Sequence, residues 1–110
     1  FRMKNIFFLF ISFIFMSFGV LGGNLITEKI LISGNCEMCK ETIELNAMIK
    51  GVKKADWNIK THYLTVSYDS LKVTKLSIEK SIAKSGYDTP DVKASNEAYQ
   101  KLPKCCQYKR

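Results

Sequence analysis

The sequence predicts an α+β sandwich, one antiparallel sheet covered on one face by two helices. Three observations predict it: two runs of period-two alternation joined by a short turn, two stretches of helical spacing that each stop at a glycine, and a strand-like run ahead of the first helix. In order, residues 25–33 are rich in β-branched side chains, with Ile30 and Ile32 facing one side, until Gly34-Asn35 interrupts them. Residues 39–50 turn to helix formers with Ile43, Ala47 and Met48 as an inward stripe, and Gly51 ends them as a C′ glycine. Residues 52–59 then alternate, with Ala55, Trp57 and Ile59 inward and Asp56 and Asn58 outward. After a turn at 60–62, residues 63–69 alternate again, which predicts a hairpin with one buried face. Thr74 is the expected N-cap of a second helix that buries Leu76, Ile78, Ile82 and Ala83 and stops at Gly86. Residues 87–93 contain Pro90, which cannot donate to a ladder, so they suit only a short edge strand. Ser95 caps a last short helix through Leu102, and Pro103 ends it before Cys105-Cys106. The order βαββαβ plus a short C-terminal extension describes a ferredoxin-like sandwich.

The first residues belong to a different regime. Arg2 and Lys4 precede an apolar run from Ile6 to Phe18, followed by Gly19, Gly22 and Gly23. That is the layout of an exported chain's signal peptide, expected over residues 1–22, which implies a periplasmic or cell-envelope location. The rival reading is an uncleaved anchor, but the run is broken by serines and shorter than the roughly 20 apolar residues that a span needs, so cleavage near Gly19 to Gly23 is expected, with no stable membrane insertion after it. The expected organisation is then a folded domain over residues 25–93 and an extension over 94–110.

Without Arg2 and Lys4, the chain's 17 basic residues become 15 against 10 acidic ones. The lysines are scattered, and no aromatic platform lies among them, so a solvated basic surface is expected and nucleic acid is not an expected partner. A monomer is expected. His62, the only histidine, falls at the hairpin tip as a solvated turn residue. Trp57 and Met48 read as packing, and Glu37 and Glu41 as charges that favour a helix start, with no paired group for acid–base catalysis.

All four cysteines, Cys36, Cys39, Cys105 and Cys106, lie in the exported part. A bridge between adjacent Cys105 and Cys106 would close a tight, strained ring, so two close pairs look more like paired ligands than a disulfide framework. Cys36 falls in the loop after the first strand and Cys39 in the first helical turn. Unpaired amides, the helix dipole and the charge of Lys40 favour thiolate there, so both thiols are expected below the ordinary cysteine range. Soft thiolates select Cu(I), Hg(II) or Zn(II) over magnesium or calcium. Two sulfurs satisfy Cu(I) or Hg(II), whereas a closed zinc site needs four ligands. A thiol–disulfide oxidoreductase, with Cys36 attacking and Cys39 resolving, is the enzymatic alternative; a disulfide-stapled structural domain is the third. Against the enzyme, Glu37-Met38 stands between the cysteines, where thioredoxin-like proteins usually carry proline.

A strand, a C-x-x-C loop opening a helix, Ile43-Glu44, Gly51-Val52, the hairpin ending Val66-Ser67-Tyr68-Asp69, and Ser85-Gly86-Tyr87 together resemble the heavy-metal-associated domain family. That family includes copper chaperones, metal-binding domains of P-type copper ATPases and the periplasmic mercury-binding protein. The resemblance covers residues 26–93. It implies Cys36 and Cys39 as metal ligands, Tyr87 as the loop residue near the site, no enzymatic activity, Cu(I) first among the ions, and delivery to a membrane metal transporter such as a P-type ATPase, or sequestration. The sequence departs from the family at Ser33-Gly34-Asn35, where Gly-Met-x usually precedes the first cysteine, so the buried methionine that supports the loop is missing; Met38 either replaces its packing or is exposed. Outside the resemblance, the extension has two readings. It is a disordered end with incidental thiols, or it folds back and offers Cys105 and Cys106 as additional ligands or as a separate transfer pair. With all four sulfurs the site would be closed and zinc-compatible.

Overall fold

The computed structural model describes residues 24–110, so the expected leader over residues 1–22 lies outside the described residues. The elements are β1 (Leu25–Leu31), α1 (Glu37–Ala47), β2 (Val52–Trp57), β3 (Tyr63–Asp69), α2 (Lys75–Lys84), α3 (Asn96–Gln100) and a single 3₁₀ turn at Lys104–Cys106. The strands form one antiparallel sheet in the order β1-β3-β2, with the hairpin partner in the middle. β1 runs against β3 from Leu25↔Asp69 to Leu31↔Tyr63. β2 pairs from Val52↔Tyr68 to Trp57↔Leu64, with one irregularity between Val52 and Lys54. Along β3 the alternation is strict, and Leu64, Val66 and Tyr68 are buried. Beneath them Cys39, Ile43 and Ala47 of α1 and Ile78 and Ile82 of α2 complete the core. This is the predicted α+β class.

The exceptions have local causes. Residues 87–93 form no strand, and one bond, from the Ser33 N–H to the Asp88 carbonyl at 3.2 Å, ties them to the end of β1. Pro90 lacks a donor, and Thr89 and Val92 satisfy one another around it: the Thr89 N–H donates to the Val92 carbonyl and the Val92 N–H to the Thr89 hydroxyl. Buried Glu79 fixes the turn by accepting from the Asp91 N–H at 2.9 Å. α1 begins at Glu37 and ends at Ala47, earlier at both ends than the composition suggests. Met48 is therefore a cap residue, 47% exposed, and not part of the inward stripe. Gly51 is not the helix C′ glycine but the turn into β2, at φ 100. A Cβ there would lie 3.0 Å from Lys72 and Val73. Thr74 does cap α2, its hydroxyl accepting from the Ser77 N–H at 3.1 Å. Leu76 is exposed rather than buried, because two residues before Ile78 is about 200° around the helix from the Ile78–Ile82 stripe.

The extension folds back onto the domain. Leu102, Cys106 and Tyr108 join the buried cluster, and Ser95 caps α3 through the Ala98 N–H at 3.1 Å. The Tyr108 hydroxyl donates to the Gly86 carbonyl at 2.8 Å and accepts from the Asp88 N–H at 2.9 Å. Gly86, at φ 113, is the C′ glycine of α2, and a Cβ on it would lie 2.8 Å from the Ala98 carbonyl, so the extension needs glycine here on two counts. Among the described residues no helix is long and apolar enough to cross a membrane.

Candidate metal centre

The loop between β1 and α1 is shaped from below by Trp57. Its indole N–H is shared between the Ile32 carbonyl at 3.1 Å and the His62 carbonyl at 3.0 Å, which joins the end of β1 to the hairpin. The ring then fills the space beneath Gly34, where an added Cβ would lie 3.0 Å from two of its atoms. Trp57 thus supplies floor that the missing methionine would have given, and Met38 is 52% exposed. His62 stacks on Trp57 at 5.4 Å between centroids, from a backbone at φ 67. It is half-buried packing at the hairpin and neither a solvated turn residue nor part of the sulfur cluster.

From Gly34 the chain turns into α1 with Cys36 as an extended N-cap, φ −143. The Cys36 Sγ lies 3.4 Å from the Cys39 Sγ, and the Asn35 N–H donates to the Cys39 sulfur at 3.4 Å. The extension brings a third sulfur: Cys106 Sγ lies 3.6 Å from Cys36 Sγ, and the three sulfurs are within 4.8 Å of one another. Cys39 and Cys106 are buried and Cys36 is half-buried, so the cluster opens to solvent at Cys36. Cys105 is exposed, 3.9 Å from the Cys106 sulfur and 3.7 Å from the Met38 thioether, outside the three-sulfur set. All four cysteines are free thiols.

The cluster is built to carry negative charge on one sulfur. Burial pushes the Cys36 thiol up, but the Cys39 amide pointing at it without closing a cap bond, and the Cys39 and Cys106 side chains, outweigh burial and bring it down to about 7. Burial and the adjacent Cys39 and Cys36 push the Cys106 thiol the other way, which suits it to hydrogen-bond to its neighbour as a neutral thiol. Lys40 does not add its charge to the pair. Its ammonium is bound by Glu44 at 2.5 Å, Asp56 at 2.8 Å and the Trp57 carbonyl at 2.9 Å, so it clamps α1 to β2. Burial and the Cys106 and Cys39 sulfurs also push the Tyr87 phenol upward. Its hydroxyl is fully buried and closes no hydrogen bond.

Cys36 and Cys39 thus stand together at the start of α1, Tyr87 borders Cys39 and Cys106, and of the extension's pair the structure brings in Cys106. The sequence reading missed Tyr108 and Trp57 as supports. The signal for Trp57 was Gly34, a residue whose missing Cβ marks a close approach.

No family model matches the chain. It is 36% identical over 71 residues to a zinc-transporting ATPase of Synechocystis sp., an alignment covering 63% of this chain and 10% of that protein. The chain thus spans about a tenth of the length of that curated relative. Among solved structures, the CopZ metallochaperone is 32% identical with a TM-score of 0.56, and the match covers 58% of this chain and 98% of that one. The N-terminal domain of the zinc(II) ATPase ZiaA in its apo form is 34% identical with a TM-score of 0.51, covering 66% of this chain and 73% of that one.

Proposed function

Since the chain belongs to the heavy-metal-associated domain family, we propose that it is an exported carrier that captures a soft metal ion on the thiolates of Cys36 and Cys39 and hands it to a membrane transporter or sequesters it. The observation that carries this reading is the 3.4 Å approach of the two sulfurs at the start of α1, with Cys36 open to solvent and drawn toward thiolate at neutral pH. Thiolate is the form that binds metal. Cu(I) fits the donors best. Among the described residues the cluster is all sulfur and offers three atoms, whereas a closed tetrahedral zinc site takes four. Hg(II) shares that preference, and zinc would need a further ligand.

Transfer needs no catalytic residue and no change of oxidation state. A partner thiolate approaches the ion from the Cys36 side, forms a metal–sulfur bond, and the Cys36 sulfur leaves and takes a proton from water. Cys39, buried and held by the Asn35 N–H, keeps the ion until the exchange is complete. The neighbours' names support a carrier that works with a transporter, one being a metallochaperone and another an ATPase domain. A P-type ATPase is the proposed partner, the periplasm or cell envelope the proposed location through the leader at residues 1–22, and a monomer the proposed form.

Anaerobic titration of the reduced protein with Cu(I) against a competing chelator tests this. One ion should bind per chain, and Cys36→Ser and Cys39→Ser should each abolish competition while far-ultraviolet circular dichroism stays unchanged. Competition that survives both substitutions would overturn the assignment.

A further inference from the structure

We propose that the C-terminal extension completes the metal site: Cys106 is a third ligand, and the protein holds its ion on a trigonal set of three sulfurs instead of a linear pair. This deepens the reading above and rests on it. Three observations carry it. The first is distance. A trigonal ion with metal–thiolate bonds of about 2.3 Å needs sulfurs roughly 4 Å apart, and a linear one needs them roughly 4.6 Å apart. Cys36 stands 3.4 Å from Cys39 and 3.6 Å from Cys106, so a small spreading accommodates the trigonal ion and a larger one the linear.

The second is anchorage. Cys106 is 1% exposed and is fixed from both sides, by buried Leu102 before it and by Tyr108, which is bound to Gly86 and Asp88, after it. The extension therefore carries this sulfur as a built part of the domain. Cys105 is the contrast: one residue earlier, it is exposed and outside the set.

The third is the Tyr87 hydroxyl. A fully buried hydroxyl without a partner is unfavourable and rare in folded chains, and this one borders Cys39 and Cys106. Three thiolates around Cu(I) leave an excess negative charge in a buried place. Tyr87 has a donor free for that charge, and the Asn35 N–H already points at Cys39. The cargo class is accordingly the soft ions that accept three thiolates. Release to a partner would begin at Cys36, the half-buried sulfur of the set, with Cys39 and Cys106 holding the ion from beneath.

X-ray absorption on the full chain loaded anaerobically with one equivalent of Cu(I) tests this. Three sulfurs per copper are expected in the wild type and in Cys105→Ser, and two in Cys106→Ser. A two-sulfur shell in the wild type overturns the third ligand and leaves the Cys36–Cys39 reading standing. It needs no variant, so a Cys106→Ser chain that folds badly does not blur the answer. A three-sulfur shell that persists in Cys106→Ser also overturns it. Failure of the wild type to retain copper at all overturns the carrier reading and this inference together.

Discussion

Gly34 shows how much a single position decides at this site. Trp57 lies beneath it with its indole N–H held by two carbonyls, so the ring has little freedom to retreat from an added methyl group. Gly34→Ala should therefore destabilise the fold by about 1–3 kcal/mol, the usual range for overpacking a filled site. Urea unfolding followed by Trp57 fluorescence measures it, and an unchanged midpoint would show that the loop is not seated on the indole. Cys36 carries a second residue-scale expectation. With its thiol at about 7, its alkylation by iodoacetamide should rise with pH around neutrality, well before an ordinary cysteine at 9.0. A midpoint near 9 in the reduced chain would refute the thiolate-favouring environment. The C-x-x-C pair and Gly34 were legible in the sequence because each is a local pattern. That the indole lies under the glycine was not, because 23 residues separate Gly34 from Trp57 and only the hairpin register brings them together.

At the scale of elements, periodicity located the three strands and two main helices, while the ends were set by caps and turns that periodicity does not see. Asn58 is an example: its side chain accepts from the N–H groups of Lys60 and Thr61 and ends β2 two residues before the alternation does. A longer-range ion pair adds to the packing that holds the extension down. Arg110 grips Asp88 through two nitrogens, at 2.9 and 3.0 Å, and lies over the Tyr99 ring at 4.8 Å. Burial raises the Asp88 carboxyl, but the Arg110 guanidinium and the Ala94 N–H more than offset it and hold it below its ordinary 3.8. A carboxyl depressed in the folded state adds stability that is complete above its unfolded value and fades as pH falls through the folded one. The extension should therefore stay docked above about pH 4 and loosen only below it. Arg110→Ala should bring the loosening to neutral pH. Amide chemical shifts of Cys106 and Tyr108 report docking, and identical shifts in wild type and Arg110→Ala at pH 7 would remove the pair from the account.

For the whole molecule, the proposed ligands tie the beginning of the domain to its end. Cys36 and Cys106 are 70 residues apart, so an ion bound to both closes a loop that contains every described element except β1. Any ion that binds only the folded chain stabilises it by mass action, by about 2.7 kcal/mol at a hundredfold excess over its Kd. A third sulfur from the extension adds to this by tightening the ion and by coupling the extension's melting to that of the sheet. One equivalent of Cu(I) should thus raise the Tm of the wild type more than that of Cys106→Ser, and in the loaded wild type the amides of residues 99–108 should exchange as slowly as those of β3. Equal Tm increments in the two proteins would mean that the extension packs over the site without holding the ion. The sequence could not decide this, since a vicinal cysteine pair reads the same whether one sulfur turns inward or neither does. What turns Cys106 inward is the 3₁₀ turn at Lys104–Cys106 together with the anchoring of Tyr108, and that anchoring is a tertiary contact with the end of α2.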